Sequence, residues 1–457
     1  MVFGLAAWAA TSSAAPAGSS TTATIAAPPV ATLATAPPVA ALAVAPPEHS
    51  ANGSGVELAL PFHGKLRITG FLHVDAALVD ERSSDELDST TRLPLNEQRL
   101  VIRRARVRAE VDYGLVGGGL ELDGNTNDGL SLRLLTAEAF VRWPSAAKRP
   151  LAELSVGLLK VPFGVETPSK VRTRLFHDAP LFVRAFFPGE YDLGAQLRGG
   201  WRFLRYSVAA MNGDPVSEPK FGARDTTSSK DLMARMGVEL GDGSGRVVGG
   251  VNSPAGAIAS LNALRLEAGA SVLWGEGLHP GAAATKDALS WTDANRDGVV
   301  DPAELHGVPG TPATPSSTFR RYGVGGDLKL RLTLAPDFDT MVFGELIWGE
   351  NLDRGTTIAD PVTAKRRLHE LGLTVGIVQE LGPWATLGFR IDRYTGDLET
   401  PRLTTTNFTI VAAVHWSSIV GLSLQYVHQE NALKQGADGL FTRLPADTLG
   451  IRAKLGF

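Results

Sequence analysis

The chain ends in DTLGIRAKLGF, where Leu449, Ile451, Ala453, Leu455 and Phe457 alternate with Thr448, Gly450, Arg452, Lys454 and Gly456. A period of two puts the first set on one face of an extended strand and the second set on the other. The same alternation runs through RLVIRRARVRAEVDY, where Val101, Ala105, Val107, Ala109 and Val111 lie opposite Arg104, Arg106, Arg108, Glu110 and Asp112. In KLRITGFLHVDAAL the apolar set is Leu66, Ile68, Leu72 and Val74, against Lys65, Arg67, Thr69, His73 and Asp75. GGDLKLRLTL sets Leu328, Leu330 and Leu332 against Asp327, Lys329 and Arg331. The three-and-four spacing of amphipathic helices is absent from each of these stretches.

Segments of this kind predict strands near 64–79, 98–113, 115–124, 132–143, 151–162, 191–201, 203–212, 229–240, 263–276, 318–334, 337–350, 365–380, 383–397, 403–416, 418–430 and 444–457. A further apolar run near 244–252 would make the count odd and place the chain ends on opposite sides of a membrane. The stretch 241–262 is therefore read as an irregular connection. Connections alternate between short turns such as LAPD, ELGP and WSSIVG and long polar loops at 80–97, 163–190, 213–228, 277–317, 351–364 and 431–443. A soluble sandwich would show the same alternation within strands, but it has no reason to close the chain on an exposed Phe457. The expected fold is all-β: over 61–457, a 16-stranded antiparallel transmembrane β-barrel with short periplasmic turns and long extracellular loops. Its setting is the bacterial outer membrane, with lipid around the wall.

Composition adds limits. The 457 residues carry a net charge of −4 and give no reason to expect nucleic acid as a partner. There is no cysteine, which removes disulfides and thiolate metal sites. After the leader, no apolar window is long enough for a membrane helix, whereas barrel strands hide their hydrophobicity by alternation. The start, MVFGLAAWAATSSAAPAGSS, predicts a signal peptide over 1–15, cleaved around Ala14 to Ala15, although it lacks basic first residues. The alternative is a flexible Ala-rich start of a cytosolic protein. A disordered Ala/Pro/Thr-rich tether is expected over 16–60.

Residues 158–200 read LLKVPFGVETPSKVRTRLFHDAPLFVRAFFPGEYDLGAQLRGG, and 206–213 read YSVAAMNG. With the arginine-dense RRARVRAE strand, these pieces resemble the phosphate-selective porin O and P family, well over 60–215 and by barrel pattern alone elsewhere. The resemblance implies a homotrimeric outer-membrane porin whose third long loop folds into the lumen and narrows it. It also implies phosphate or other small anions as solutes. The family's phosphate specificity rests on a dense lysine cluster at the constriction, and the loop 163–190 has one lysine, Lys170.

Read on its own residues, that loop carries Lys170, Arg172, Arg174, His177 and Arg184 against Glu166, Asp178 and Glu190. Folded inward, it would place fixed positive charge at the narrowest point of a low-dielectric wall. Arg104, Arg106, Arg108 and Arg198 would continue an anion pathway along that wall, with Lys65, Arg67, Lys329, Arg331, Arg390, Arg452 and Lys454 as looser contributors. The bland alternative is that such arginines pair with Glu110, Asp112, Glu138, Asp327, Glu370 and Asp392 and merely hold the wall. No G-x-S-x-G, H-E-x-x-H or Gly-rich phosphate loop is present, so enzymatic chemistry is not expected. A structural or adhesive barrel without selective transport is the remaining rival.

One motif stands apart. WTDANRDGVVDPAEL, 291–305, sets Asp293, Asn295, Asp297, the Val299 carbonyl, Asp301 and Glu304 at the oxygen-ligand positions of an EF-hand loop, with Gly298 at the sharp turn. It lies in the longest loop. AATKDALSW offers one or two helical turns before it, and Pro302 to Leu305 barely one after it. With no second loop to pair with, the expectation is a structural Ca²⁺ clip binding on the order of 0.1 to 1 mM.

Overall fold

The structure, a computed structural model, describes residues 55–79, 99–126, 131–144, 150–213, 229–241, 264–279, 281–292, 294–295, 298–335, 338–354, 361–400, 404–417, 419–430, 433–435, 441–443 and 446–457. The expected signal peptide, most of the tether, and the 241–262 connection beyond Gly241 fall outside these residues.

Alternation is realised as sixteen wall strands. They are β1 (Gly64–Val79), β2 (Arg99–Asp112), β3 (Val116–Asn125), β4 (Ser131–Trp143), β5 (Ala152–Lys160), β6 (Tyr191–Trp201), β7 (Leu204–Met211) and β8 (Asp231–Leu240). There follow β9 (Leu264–His279), β10 (Ser317–Ala335), β11 (Phe338–Glu350), β12 (His369–Glu380), β13 (Ala385–Thr395), β14 (Thr404–His415), β15 (Val420–Glu430) and β16 (Ala446–Gly456). Each pairs antiparallel with its chain neighbour, and β16 also pairs with β1 from Phe71↔Gly456 to Val79↔Thr448, so the sheet closes on itself. Closure leaves none of the sixteen as a free edge.

The foot of β1 extends past the end of β16. There Val56–Leu60 adds a short strand, Val56↔Ile68 to Leu60↔Gly64, through a turn at Pro61–His63. The tether expected to reach residue 60 thus gives way to strand at Val56, because the unpaired amides and carbonyls along the foot of β1 offer a ladder to join.

The two faces of the wall differ as the period of two dictates. Leu154, Val208, Val272, Leu346, Ile410 and Leu424 point outward and are roughly half exposed. Ser271, Glu345, Thr374, Asp392, Thr409 and Gln425 point inward and are buried. At the short-turn end, Trp143, Trp201, Phe203, Trp384, Trp416 and Phe457 are exposed. At the long-loop end, Trp274, Tyr322 and Trp348 form an edge-to-face chain with ring centroids 6.2 and 6.0 Å apart. An apolar belt between two aromatic girdles is the exterior of a barrel solvated by lipid. No helix among the described residues is long and apolar enough to cross a membrane; the strands do so.

Phe457 is seated where β1 passes β16. Its amide and carbonyl bond those of Gly70 at 3.0 and 3.1 Å, and its ring covers the Gly70 α-carbon so closely that a β-carbon there would collide with it.

Candidate solute pathway

The segment joining β5 to β6, here termed the inner loop, lies inside the barrel. It enters at Gly164, whose amide donates to Ser271 Oγ at 3.0 Å on β9. The amides of Val165 and Glu166 donate to the Glu345 carboxylate on β11 at 3.2 and 3.0 Å. Gly164 has φ +65, and a β-carbon there would strike Glu345, so only glycine fits this entry.

Further along, the His177 amide donates to Gln425 Oε1 at 2.8 Å, and its carbonyl accepts from Arg452 at 3.1 Å. Asp178 pairs with Arg103 on β2 at 2.6 Å, and its carbonyl accepts from Arg390 on β13 at 3.0 Å. The loop is thereby stitched to walls on several sides of the lumen.

A six-residue helix, α1 (Leu181–Phe186), follows, with every side chain but Arg184 buried. Phe163, Phe182, Phe186 and Phe187 pack with Met211, Met233, Leu273, Ile347 and Tyr394 of the inner wall in one apolar cluster. From the 351–368 connection, Arg354 fixes this block. Its amide donates to Ala185 O and its Nε to Phe186 O, both at 3.0 Å, and its guanidinium reaches Gly213 O at 2.8 Å and Asp231 at 3.3 Å. Arg321 of β10 meets the same Asp231 at 3.2 Å.

The expected anion pathway separates into two groups. Arg106 pairs with Asp123 at 2.9 Å, Arg108 with Glu138 at 2.5 Å, Arg174 with Glu190 at 3.0 Å and Arg198 with Glu153 at 2.8 Å. Arg172 donates to the Phe457 carbonyl at 3.3 Å. Arg104, Lys170 and Arg184 make no ion pair among the described residues, nor do Arg67 and Lys454.

Of the carboxylates expected as wall-holding partners, Glu110 and Glu138 take Arg108, Asp112 takes Arg142, Asp327 takes Arg235 and Asp392 takes Arg390. Glu370 departs from that expectation. It has no exposed surface and accepts the amides of Leu352 and Asp353 at 2.9 and 3.2 Å, which satisfy its oxygens without a cation.

Register shows what the sequence did not single out. Lys454 lies opposite His73 across the β16–β1 seam, and His73 lies opposite Arg104 across β1–β2. These three form a lateral row on the inner wall with no carboxylate in it. His73 is fully buried, and neither ring nitrogen has a hydrogen-bond partner.

Outside the barrel mouth, the EF-hand-like loop sits on a hairpin rather than between helices. Ala288–Trp291 pairs with Leu305–Val308 in a separate two-stranded sheet, so the helical turns expected from AATKDALSW are absent. Glu304 turns inward and accepts from Trp291 Nε1 at 3.0 Å and from the amides of Ala294 and Asn295 at 2.9 and 3.3 Å. The Trp291 indole and these amides hold its pKa below the usual carboxylate value. Gly298 has φ +71, as the sixth position of such a loop requires. Asn295, Val299 and Asp301 are exposed, while Asp293 and Asp297 lie outside the described residues. Among the described residues no three acidic or imidazole groups converge.

No protein-family model matches the sequence, and no curated protein matches it. Solved structures do. The outer-membrane channel DcaP of Acinetobacter baumannii is 13% identical, with 88% of this chain and 99% of that one covered at a TM-score of 0.51. OprB of Pseudomonas putida is 11% identical, with 86% and 94% covered, also at 0.51. The fold is the closed sixteen-stranded barrel of outer-membrane porins.

Proposed function

We propose that the chain is a passive diffusion channel of the outer membrane that prefers small anions, inorganic anions such as phosphate among them. The supporting observation is where cations without an acid partner stand, on the inner loop and along the β16–β1–β2 wall, and not a net count, since Glu166, Asp192, Glu345 and Glu370 make no ion pair among the described residues either. Arg67, Arg104, Lys170, Arg184 and Lys454 keep no acid partner among the described residues, whereas Asp75, Glu121, Asp123, Glu138 and Glu190 each hold an arginine or lysine. Positive charge facing a walled lumen attracts anions and repels cations. Reversal potentials of the purified protein in planar bilayers under a KCl gradient test this, and cation selectivity would overturn it.

The aromatic block of the inner loop favours a second reading, a structural or adhesive barrel without selective transport. In that case no unitary conductance is seen. Homotrimeric assembly, implied by the family resemblance alone, belongs to the same proposal and is read by cross-linking in detergent.

For the outer hairpin we propose a bound Ca²⁺. The inward Glu304 and the positive φ of Gly298 suit the twelfth and sixth positions of an EF-hand loop. Asn295, the Val299 carbonyl and Asp301 would complete the set with Asp293 and Asp297. Millimolar Ca²⁺ is then expected to slow protease cleavage within 281–316; cleavage indifferent to Ca²⁺ and to EGTA would discard the site.

A further inference from the structure

On the outward face of β13 stands a cation that takes no part in the lumen. The alternation of that strand buries Arg390, Asp392 and Tyr394 inside and leaves Leu387, Phe389, Ile391 and Arg393 on the lipid side. Arg393 is exposed, and among the described residues its guanidinium makes neither an ion pair nor a hydrogen bond. Directly across the β13–β14 pair lies Thr406, whose hydroxyl is likewise without a hydrogen bond among the described residues. Along the same row stand Leu373 on one side and, beyond Thr406, Glu430 on the other. The acids of this sector are turned to His428 instead, Asp447 at 2.6 Å and Glu430 at 3.5 Å.

Trp384, 60% exposed, marks the short-turn girdle on this strand. Arg393 is nine residues further on, a path of about 30 Å, or roughly 20–25 Å of height once the tilt of a barrel strand is allowed for. That matches the apolar band of such a barrel, so the guanidinium emerges where the hydrocarbon ends on the long-loop side. Neighbouring strands agree. The outward row Ile410–Tyr426–Leu449 is apolar, and the rows above it bring in His428 and Asp447, then Thr406 and Glu430. At that boundary a guanidinium without an acid of its own takes its countercharge from the headgroup layer, and its planar fork suits a phosphate.

We propose that Arg393 and Thr406 bind the phosphate of an outer-leaflet lipid, its acyl chains lying on Leu373, Phe389 and Ile391 beneath. Continuity selects a lipid over free phosphate, because this face runs without a break into the lipid-facing belt of the barrel. The inference needs only the barrel's place in the outer membrane and is independent of which ions cross the lumen.

The test is native mass spectrometry of the purified protein released from detergent, titrated with dimyristoyl phosphatidic acid, with dimyristoyl glycerol and with sodium phosphate. Phosphatidic acid is expected to bind at least about tenfold more tightly than the diacylglycerol, as for a charge-assisted hydrogen bond, and to resist displacement by an equal concentration of sodium phosphate. Arg393→Gln is expected to weaken phosphatidic acid about tenfold and leave the diacylglycerol unchanged, Arg393→Lys to retain part of the difference, and Thr406→Val to cost about threefold. Circular dichroism reports that each variant is folded. Phosphatidic acid binding to Arg393→Gln as it does to the unaltered chain, or giving way to an equal concentration of sodium phosphate, overturns the proposal.

Discussion

Asp231 heads β8 with no exposed surface, and two arginines from distant parts of the chain converge on it. Arg321 is itself 4% exposed, so removing the shared carboxylate strands a buried charge. Asp231→Asn is therefore expected to destabilise by about 3–5 kcal/mol, the usual cost of breaking a buried pair from one side. Urea midpoints in detergent measure this, and a change within error would mean that water already solvates the node. None of it was legible in the sequence, because a period of two says which face a side chain occupies and leaves its cross-strand partner to register. The same limit explains the arginines. RRARVRAE announced an inward basic face, yet only register shows that Arg106 and Arg108 pair with acids of β3 and β4 while Arg104, opposite His73, makes no ion pair among the described residues.

At the level of elements, strands were readable and loops were not. Each wall strand lies within a few residues of its predicted span, since alternation is a local signal. The inner loop was read for its charges, but its LFVRAFF run is what anchors it to the inner wall. A short apolar run of that kind has no period by which to distinguish helix from strand, and its target surface comes from strands far away in sequence. Phe186 is 1% exposed, and Phe186→Ala is expected to cost about 3–5 kcal/mol and to loosen α1 from the wall. Single-channel recording should then show larger or noisier unitary currents; an unaltered conductance would show that the block lies off the conducting path. The outer hairpin erred in the other direction. AATKDALSW contains good helix formers, but pairing of Ala288–Trp291 with Leu305–Val308 overrides that preference.

For the whole molecule, closure was foreseen from strand parity and turn asymmetry, while the strand at Val56–Leu60 was not. Its need arises only when the stagger of a closed barrel leaves β1 longer than its partner at the seam. The outer hairpin has a consequence of a different order. Backbone and side-chain bonds link its arms above the wall, Thr314 to Ala282 at 2.9 Å and Thr285 to Thr311 at 3.0 Å, before Ala288–Trp291 pairs with Leu305–Val308. At about 3.3 Å per residue, the twelve steps from His279 to Trp291 can span at most about 40 Å when fully extended, a reach comparable to the bilayer with its headgroups. The tip around Gly298 and Val299 is thus the natural place to display a foreign epitope: a short tag inserted there should be stained by antibody on intact cells, without disturbing the lumen.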